Sequence, residues 1–148
     1  MAQFQHILNQ LPYGPDFLFV DGLTHLDEDS VRGFYRFRES LSVYQNHFPG
    51  NPITPGVLLI ECMAQIGLVC LGIHLVEHKD DEDLAVAFSE NHIVFNAVVL
   101  PGQQVHVEAE KVYFRFGKLK CKVRMTDDDG NLIASGTMSG MLKPKPYA

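Results

Sequence analysis

The chain is short of the features that would make it crosslinked, secreted or metal-stapled. It has three cysteines, Cys62, Cys70 and Cys121. Their odd number and the lack of a Cys-x-x-Cys spacing argue against a disulfide framework and against a zinc site. Thiols left unpaired suit a reducing compartment, so the expected location is cytoplasmic. The first ten residues, MAQFQHILNQ, lack the basic start and apolar centre of a secretory signal. Basic residues are scarce, 12 against 18 acidic ones for a net charge of −6, and no recognised motif accompanies them, so nucleic acid is not an expected partner. Ser89, Ser135 and Ser139 lack the setting of a nucleophile elbow, which removes a serine hydrolase from the expected chemistry. No internal repeat, low-complexity tract or dividing linker interrupts the 148 residues. That length suits one domain spanning 1–148.

What is present is 46% hydrophobic and 20% charged, the balance of an ordinary globular chain. Charge is uneven: residues 1–110 hold four Lys/Arg and fifteen Asp/Glu, whereas residues 111–148 hold eight and three. The longest apolar run is VLLIECMAQIGLVCLGIHLV, from Val57 to Val76. Its length suits a membrane span, but Glu61 and Gln65 lie inside it, and ionisable groups in hydrocarbon are costly. A helix that is apolar all round also suits the core of a globular fold, and no membrane association is expected. Pro55 marks its start, since proline is favoured in a first helical turn.

Around this helix the pattern is strand-like. Leu11–Pro15 carries turn chemistry, and Phe17–Val20 is a short apolar run closed by Asp21-Gly22. Residues 31–39, VRGFYRFRE, alternate in part. Asn46–Gly56 is dense in proline and glycine and reads as a constrained loop. After the charged connector 77–83, strand material is expected over Leu84–Phe88 and His92–Leu100, on either side of a polar break. The turn Pro101-Gly102 follows, and then strands over Gln104–Phe114, 118–125 and Asn131–Leu142. In 118–125, Leu119, Cys121, Val123 and Met125 form the expected inward set, and Lys118, Lys120, Lys122 and Arg124 the outward set. Strict alternation favours an antiparallel sheet with one solvated face. The expected class is α+β, one long helix against a mostly antiparallel sheet.

Two titratable groups bracket the loop and the helix start. His47 is on the loop, and Glu61 is in the second turn of an otherwise apolar helix. Burial disfavours an ionised carboxylate and raises its pKa. A carboxyl kept protonated can donate a proton, and an imidazole can accept one. Gly56 stands at the helix N-terminus, where backbone N–H groups lack intrahelical partners and suit an oxygen gaining negative charge. Gln65, one turn after Glu61, can hold the carboxyl or a water. The bland alternatives stay open: a loop histidine is commonly only polar surface, a helix glutamate can reach a helix end, and spacing alone does not bring the two together. His74 and His78, four apart, can share a metal, but as helix-end residues they are better read as favourable C-terminal charges, and no metal is expected. Cys62 and Cys70 on the apolar helix read as packing residues.

The run HFPGNPITPGVLLIECMAQ, residues 47–65, closely resembles the signature of the bacterial 3-hydroxyacyl-ACP dehydratases: HFPG, a short gap, PGV, then a helix with Glu and an Ala-Gln pair. The resemblance extends more weakly through Phe17–Asp21, similar to the family's FLLVD-like strand, and from Ala87-Phe88 to Pro101-Gly102. It implies a hot-dog fold, two chains paired with active sites at their interface, as a homodimer or a higher assembly of such dimers, and a carrier-protein-bound acyl substrate. Carried over by position, it makes His47 the base and Glu61 the acid, with Gly56 offering its N–H to the thioester carbonyl and Val57 beside it. The implied reaction removes water from a 3-hydroxyacyl thioester to give a trans-2-enoyl thioester, with no metal or redox cofactor, the acyl chain lying in an apolar tunnel near Phe88 and Phe95. The alternatives are a hot-dog thioesterase and a non-catalytic acyl-binding subunit. Two details qualify the match. The family often carries a basic residue before its early strand, where this chain has Tyr13-Gly14-Pro15-Asp16, which points to a specialised polyene- or polyketide-like pathway as an alternative to fatty-acid synthesis. The related dehydratase/isomerases carry Asp at the acidic helix position, so Glu61 favours dehydration without isomerisation. The Lys118/Lys120/Lys122/Arg124 row is first a solvated strand face and, as a sharper expectation, a docking face for an acidic carrier protein.

Overall fold

The computed structural model describes residues 3–77 and 84–144. A short helix α1 (Gln5–Leu8) and a 3-10 turn (Pro15–Phe17) lead into strands β1 (Gly22–Leu26) and β2 (Ser30–Arg36). A second 3-10 turn (Ser42–Gln45) and the Pro/Gly loop precede the long helix. That helix is α2 (Gly56–Ala64), a π-helical segment (Gln65–Cys70) and α3 (Leu71–Val76) in unbroken succession. Strands β3 (Leu84–Phe95), β4 (Gln104–Arg115), β5 (Lys118–Thr126) and β6 (Leu132–Pro144) follow. The six strands form one sheet in the order β1-β2-β4-β5-β6-β3, and every neighbouring pair is antiparallel. The sheet wraps the helix, the α+β hot-dog arrangement.

The alternation that marked the strands is what buries one sheet face. Leu119, Cys121, Val123 and Met125 of β5 are buried, as are Val105, Val107 and Ala109 of β4. They pack on Met63, Ile66, Leu68 and Leu71 of the helix in one apolar cluster. Each of the Val, Leu, Ile and Met side chains among them contributes roughly 1.5–3 kcal/mol on burial. The close seat of helix on sheet depends on Gly67. A Cβ there would stand 3.1 Å from the Ala109 methyl and 3.2 Å from Val123 Cγ1, so a larger residue would push the helix off β4 and β5. The helix from Gly56 to Val76 has the length and apolarity to cross a bilayer, but 67% of its most apolar window is buried inside the fold.

Side-chain caps fix the hairpins. In the β1–β2 turn Asp27 Oδ1 accepts the N–H groups of Asp29 and Ser30, both at 2.8 Å. In the β5–β6 turn Asp127 Oδ1 accepts those of Asp129 and Asn131, both at 2.9 Å, with Gly130 in the left-handed region that the DDDG sequence suggests.

Three expectations need correction. Phe17–Val20 is not a strand: after the 3-10 turn it runs as an extended segment whose Phe19 N–H is taken by a helix side chain, and the strand is the following Gly22–Leu26. Leu84–Phe88 and His92–Leu100 are not separate segments. One strand runs from Leu84 to Phe95 through a bulge between Phe88 and Glu90, and residues 96–100 lie beyond it. A bulge absorbs one extra residue without ending the ladder. The long apolar helix holds in extent but not in form, since its middle is π-helical.

Candidate active site

The loop that carries His47 is held at several points. The His47 N–H donates to the Val43 carbonyl at 2.9 Å, and the Thr54 N–H to the Val99 carbonyl at 2.8 Å. His47 Nδ1 lies 2.8 Å from the Ile53 carbonyl oxygen. A carbonyl oxygen only accepts, so Nδ1 carries the hydrogen, and in the neutral ring Nε2 holds the free lone pair. The ring of Phe48 lies against the imidazole, centroids 4.3 Å apart. Phe48 is 57% exposed and sits at φ 57°, a conformation that non-glycine residues hold mainly where surrounding contacts impose it.

Glu61 stands on α2, facing an apolar cavity of about 180 Å³ lined by Tyr13, Phe17, Ala64, Leu68, Val86 and Phe88 among others. Burial pushes its carboxyl above the usual carboxylate range, and a hydrogen bond from Gln65 opposes part of that rise. Gln65 is completely buried. Its Nε2 donates to Glu61 Oε2 at 3.0 Å and to the Phe17 carbonyl at 2.9 Å, while its Oε1 accepts from the Phe19 N–H at 2.8 Å. One amide therefore holds both the carboxyl and the segment that walls the cavity. A larger groove of about 470 Å³ lies open on the outer sheet face among Glu108, Glu110, Lys122 and Arg124. It offers exposed, mutually compensating charges rather than a desolvated group.

At the helix start, Pro55 is the N-cap with no side-chain cap bond. The N–H groups of Gly56 and Val57 have no intrahelical carbonyl to reach. Phe95 of β3 leans on this point: a Cβ on Gly56 would stand 3.2 Å from its ring. Val57 is 72% exposed. The structure thus places Glu61 and Phe88 at one cavity, with Gln65 behind Glu61, and Gly56, Val57 and Phe95 at the helix start. His47 is not among the described residues lining the Glu61 cavity. Tyr13, Phe17 and Phe48 had no assigned role in the sequence, although Phe48 is adjacent to His47 and Phe17 opens the early apolar run.

Other candidates resolve into structural roles. His74 Nδ1 pairs with Glu77 at 3.2 Å; His78, its proposed companion, lies outside the described residues, as do Asp80–Asp83. Among the described residues, no group of three or more His, Cys, Asp or Glu is arranged to hold a metal. Burial raises the thiol pKa of Cys62, Cys70 and Cys121, keeping them protonated. In the basic row, Lys118 pairs with Glu90 at 3.3 Å and Arg124 with Glu108 at 3.7 Å.

The fold is that of the hot-dog proteins, with a half-buried Glu61 carboxyl on the core helix and the His47 ring held at Nδ1 on the loop before it. The FabA-like domain model matches residues 11–137, and the chain belongs to that family. Its curated relatives include the 3-hydroxyacyl-[acyl-carrier-protein] dehydratase FabZ of Acetivibrio thermocellus, 35% identical over 131 residues, 88% of this chain and 87% of that protein. The enzyme of the same name from Bacillus licheniformis is 30% identical over 148 residues, 98% of this chain and 99% of that protein. Among solved structures, the dehydratase heterocomplex ApeI:P from Xenorhabdus doucetiae matches with a TM-score of 0.79 at 12% identity, covering 94% of this chain and 91% of that one. A hypothetical thioesterase with coenzyme A from Streptococcus pneumoniae matches with a TM-score of 0.63 at 14% identity, covering 84% and 87%. At such identities the solved structures speak for the fold.

Proposed function

We propose that this chain is a 3-hydroxyacyl-[acyl-carrier-protein] dehydratase, a hydro-lyase built as one hot-dog domain over residues 1–148, with His47 as base and Glu61 as acid. The observation that carries the reading is the complementary preparation of the two groups. The Ile53 carbonyl takes the Nδ1 hydrogen of His47, so in the neutral ring Nε2 is the nitrogen with the lone pair, and burial favours the protonated form of Glu61. A ring nitrogen able to accept a proton and a carboxyl held ready to give one make an acid–base pair.

The reaction follows. The thioester carbonyl sits at the helix start, where the Gly56 N–H supports the negative charge that gathers on its oxygen, with Val57 alongside. His47 Nε2 takes a proton from the carbon next to the carbonyl, and the electron pair of that C–H bond becomes the new C=C bond. The C–O bond at the third carbon breaks as Glu61 protonates the hydroxyl, which leaves as water. The product is a 2-enoyl thioester; proton exchange with solvent restores both groups. The cavity between Glu61 and Phe88 takes the start of the acyl chain, with Phe95 beside the helix start.

The partner is a second copy of the chain. Strand β3 is twelve residues long and lies at the sheet edge, and it presents Phe88, Val94 and Phe95 at 42%, 53% and 44% exposure. A long apolar edge invites strand pairing. Pairing there would also supply the Glu61 cavity with an imidazole, which the described residues of its own chain do not place in the lining. The Xenorhabdus structure is of a dehydratase heterocomplex, so pairing with a related chain is the competing arrangement. A cytoplasmic setting, alongside fatty-acid or specialised polyene- or polyketide-like synthesis, completes the reading. Tyr13, from the segment that departs from the family's basic pattern, lines the Glu61 cavity.

The test is incubation with 3-hydroxyacyl-ACP under mass spectrometry. Loss of water supports the proposal. Thiol release indicates a thioesterase, and retention of unchanged substrate indicates a binding subunit; either result overturns it.

A further inference from the structure

The loop holds a buried polar contact that the reaction as described does not use. Tyr44, on the 3-10 turn Ser42–Gln45, is 7% exposed, and Thr54 is 4% exposed. Their hydroxyls meet at 2.5 Å, ten residues apart in sequence. The chain between them contains His47, and Thr54 directly follows Ile53, whose carbonyl holds the His47 ring. Thr54 also precedes Pro55, the helix N-cap, and its N–H is tied to Val99. The contact therefore closes the loop at its neck, with His47 on one arm and the carbonyl that orients it on the other.

An apolar pair would fill the same space but would allow the two arms to slide. A hydrogen bond between buried hydroxyls is directional, and it penalises a slide that leaves either hydroxyl without a partner. We infer that Tyr44 and Thr54 are a positioning pair that holds the Ile53 carbonyl in line with His47 Nδ1, and so sets both the tautomer and the aim of the imidazole. This rests on the assignment of His47 as the base. Neither hydroxyl touches substrate; both act through the loop.

The experiment uses Tyr44→Phe, Thr54→Val, their double variant and the conservative Thr54→Ser, assayed on 3-hydroxyacyl-ACP, with His47→Ala in parallel. Loss of alignment should lower kcat by roughly ten- to a hundredfold in Tyr44→Phe and Thr54→Val, with KM within about twofold. The double variant should be no worse than the poorer single one, and Thr54→Ser should keep parental turnover. Nitrogen NMR of the His47 ring should show the Nδ1–H tautomer in the parent and in Thr54→Ser, and a mixture in Thr54→Val. Parental kcat in the folded single variants, additive losses in the double, or an unchanged tautomer would each overturn the pair's role while leaving His47 in place. Parental turnover in His47→Ala would remove the base assignment itself, and the pair's role with it. If Tyr44→Phe fails to fold, Thr54→Val against Thr54→Ser still separates the two outcomes, by kcat and by tautomer.

Discussion

The carboxylate of Glu61 and the amide of Gln65 meet at 3.0 Å where the core helix passes from α to π geometry. The same amide reaches the Phe17 carbonyl and the Phe19 N–H. The acid of the proposed site and the wall of its cavity therefore share one anchor.

Replacing that anchor tests its weight. Gln65→Leu keeps the volume but leaves the buried Phe19 N–H without its partner, and frees the Phe17 carbonyl at the edge of the fold. A buried group left so costs about 1–3 kcal/mol, so urea unfolding should show a loss of roughly that size. The variant also removes the bond that lowers the Glu61 pKa, so the alkaline limb of the turnover profile should move to higher pH. An unchanged midpoint in urea would show that the clasp has no energetic role.

Glu61 itself makes stability depend on pH. Its folded pKa is raised by burial, so the folded chain binds that proton more tightly than the unfolded chain does. Stability from this group is greatest below the ordinary carboxylate pKa and falls as pH rises through the folded value. Glu61→Gln removes the dependence. Its stability curve should be flatter across that interval and lie above the parental curve at neutral pH, while turnover falls by roughly 10²- to 10⁴-fold. A variant that is less stable at neutral pH, yet active, would contradict both parts.

The two-chain site makes a prediction about mixtures. His47→Ala and Glu61→Gln should each be inactive alone. If the histidine of one copy serves the glutamate of the other, a mixed dimer contains one intact site and one doubly defective site. Subunit exchange between the two variants should then restore roughly a quarter of parental turnover, as expected for random pairing in a two-fold dimer. No recovery after demonstrated exchange would place the working pair within one chain.

Carrier docking is tested on the basic strand face. Lys118 and Arg124 form ion pairs with Glu90 and Glu108 at 3.3 and 3.7 Å; Lys120 and Lys122 between them are the residues to change. Lys120→Glu with Lys122→Glu should raise KM for carrier-bound substrate several-fold at low salt and leave KM for a small thioester unchanged, the difference shrinking as salt screens the charges. Equal KM for both substrates at low salt would rule this face out.

Much of this arrangement was legible in the residues. Strict alternation in 118–125 identifies the inward side chains of β5, and a carboxylate within an apolar helix singles out Glu61 as the candidate whose pKa burial raises. Other features left no trace in the pattern. An all-apolar helix has no polar face by which to read its phase, so the π segment was invisible. The polar run Ser89–His92 looked like a break, because an edge strand solvated on its outer side and bulged loses the alternation that marks a central strand. Gly22–Leu26 was hidden by an Asp-Gly pair that reads as a turn. Tyr44 and Thr54 are ordinary residues until the loop folds back and brings their hydroxyls together.

The π segment has a consequence for how the helix tolerates change in length. Its hydrogen bonds reach one residue further than those of an α-helix, so Gln65–Cys70 stores a residue that a regular helix would have no room for. At about 100° per α-helical residue, the π segment sweeps roughly the angle of a regular helix one residue shorter, so removing one residue there would leave a regular α-helix whose downstream part keeps its setting. Gly72 would still face Leu142 and Leu119, which it now approaches closely, and Glu61 upstream would keep its place. The helix thus carries a spare residue between the acid and the far strands. A deletion within the π segment would be absorbed, whereas the same deletion in α2 would turn everything after it.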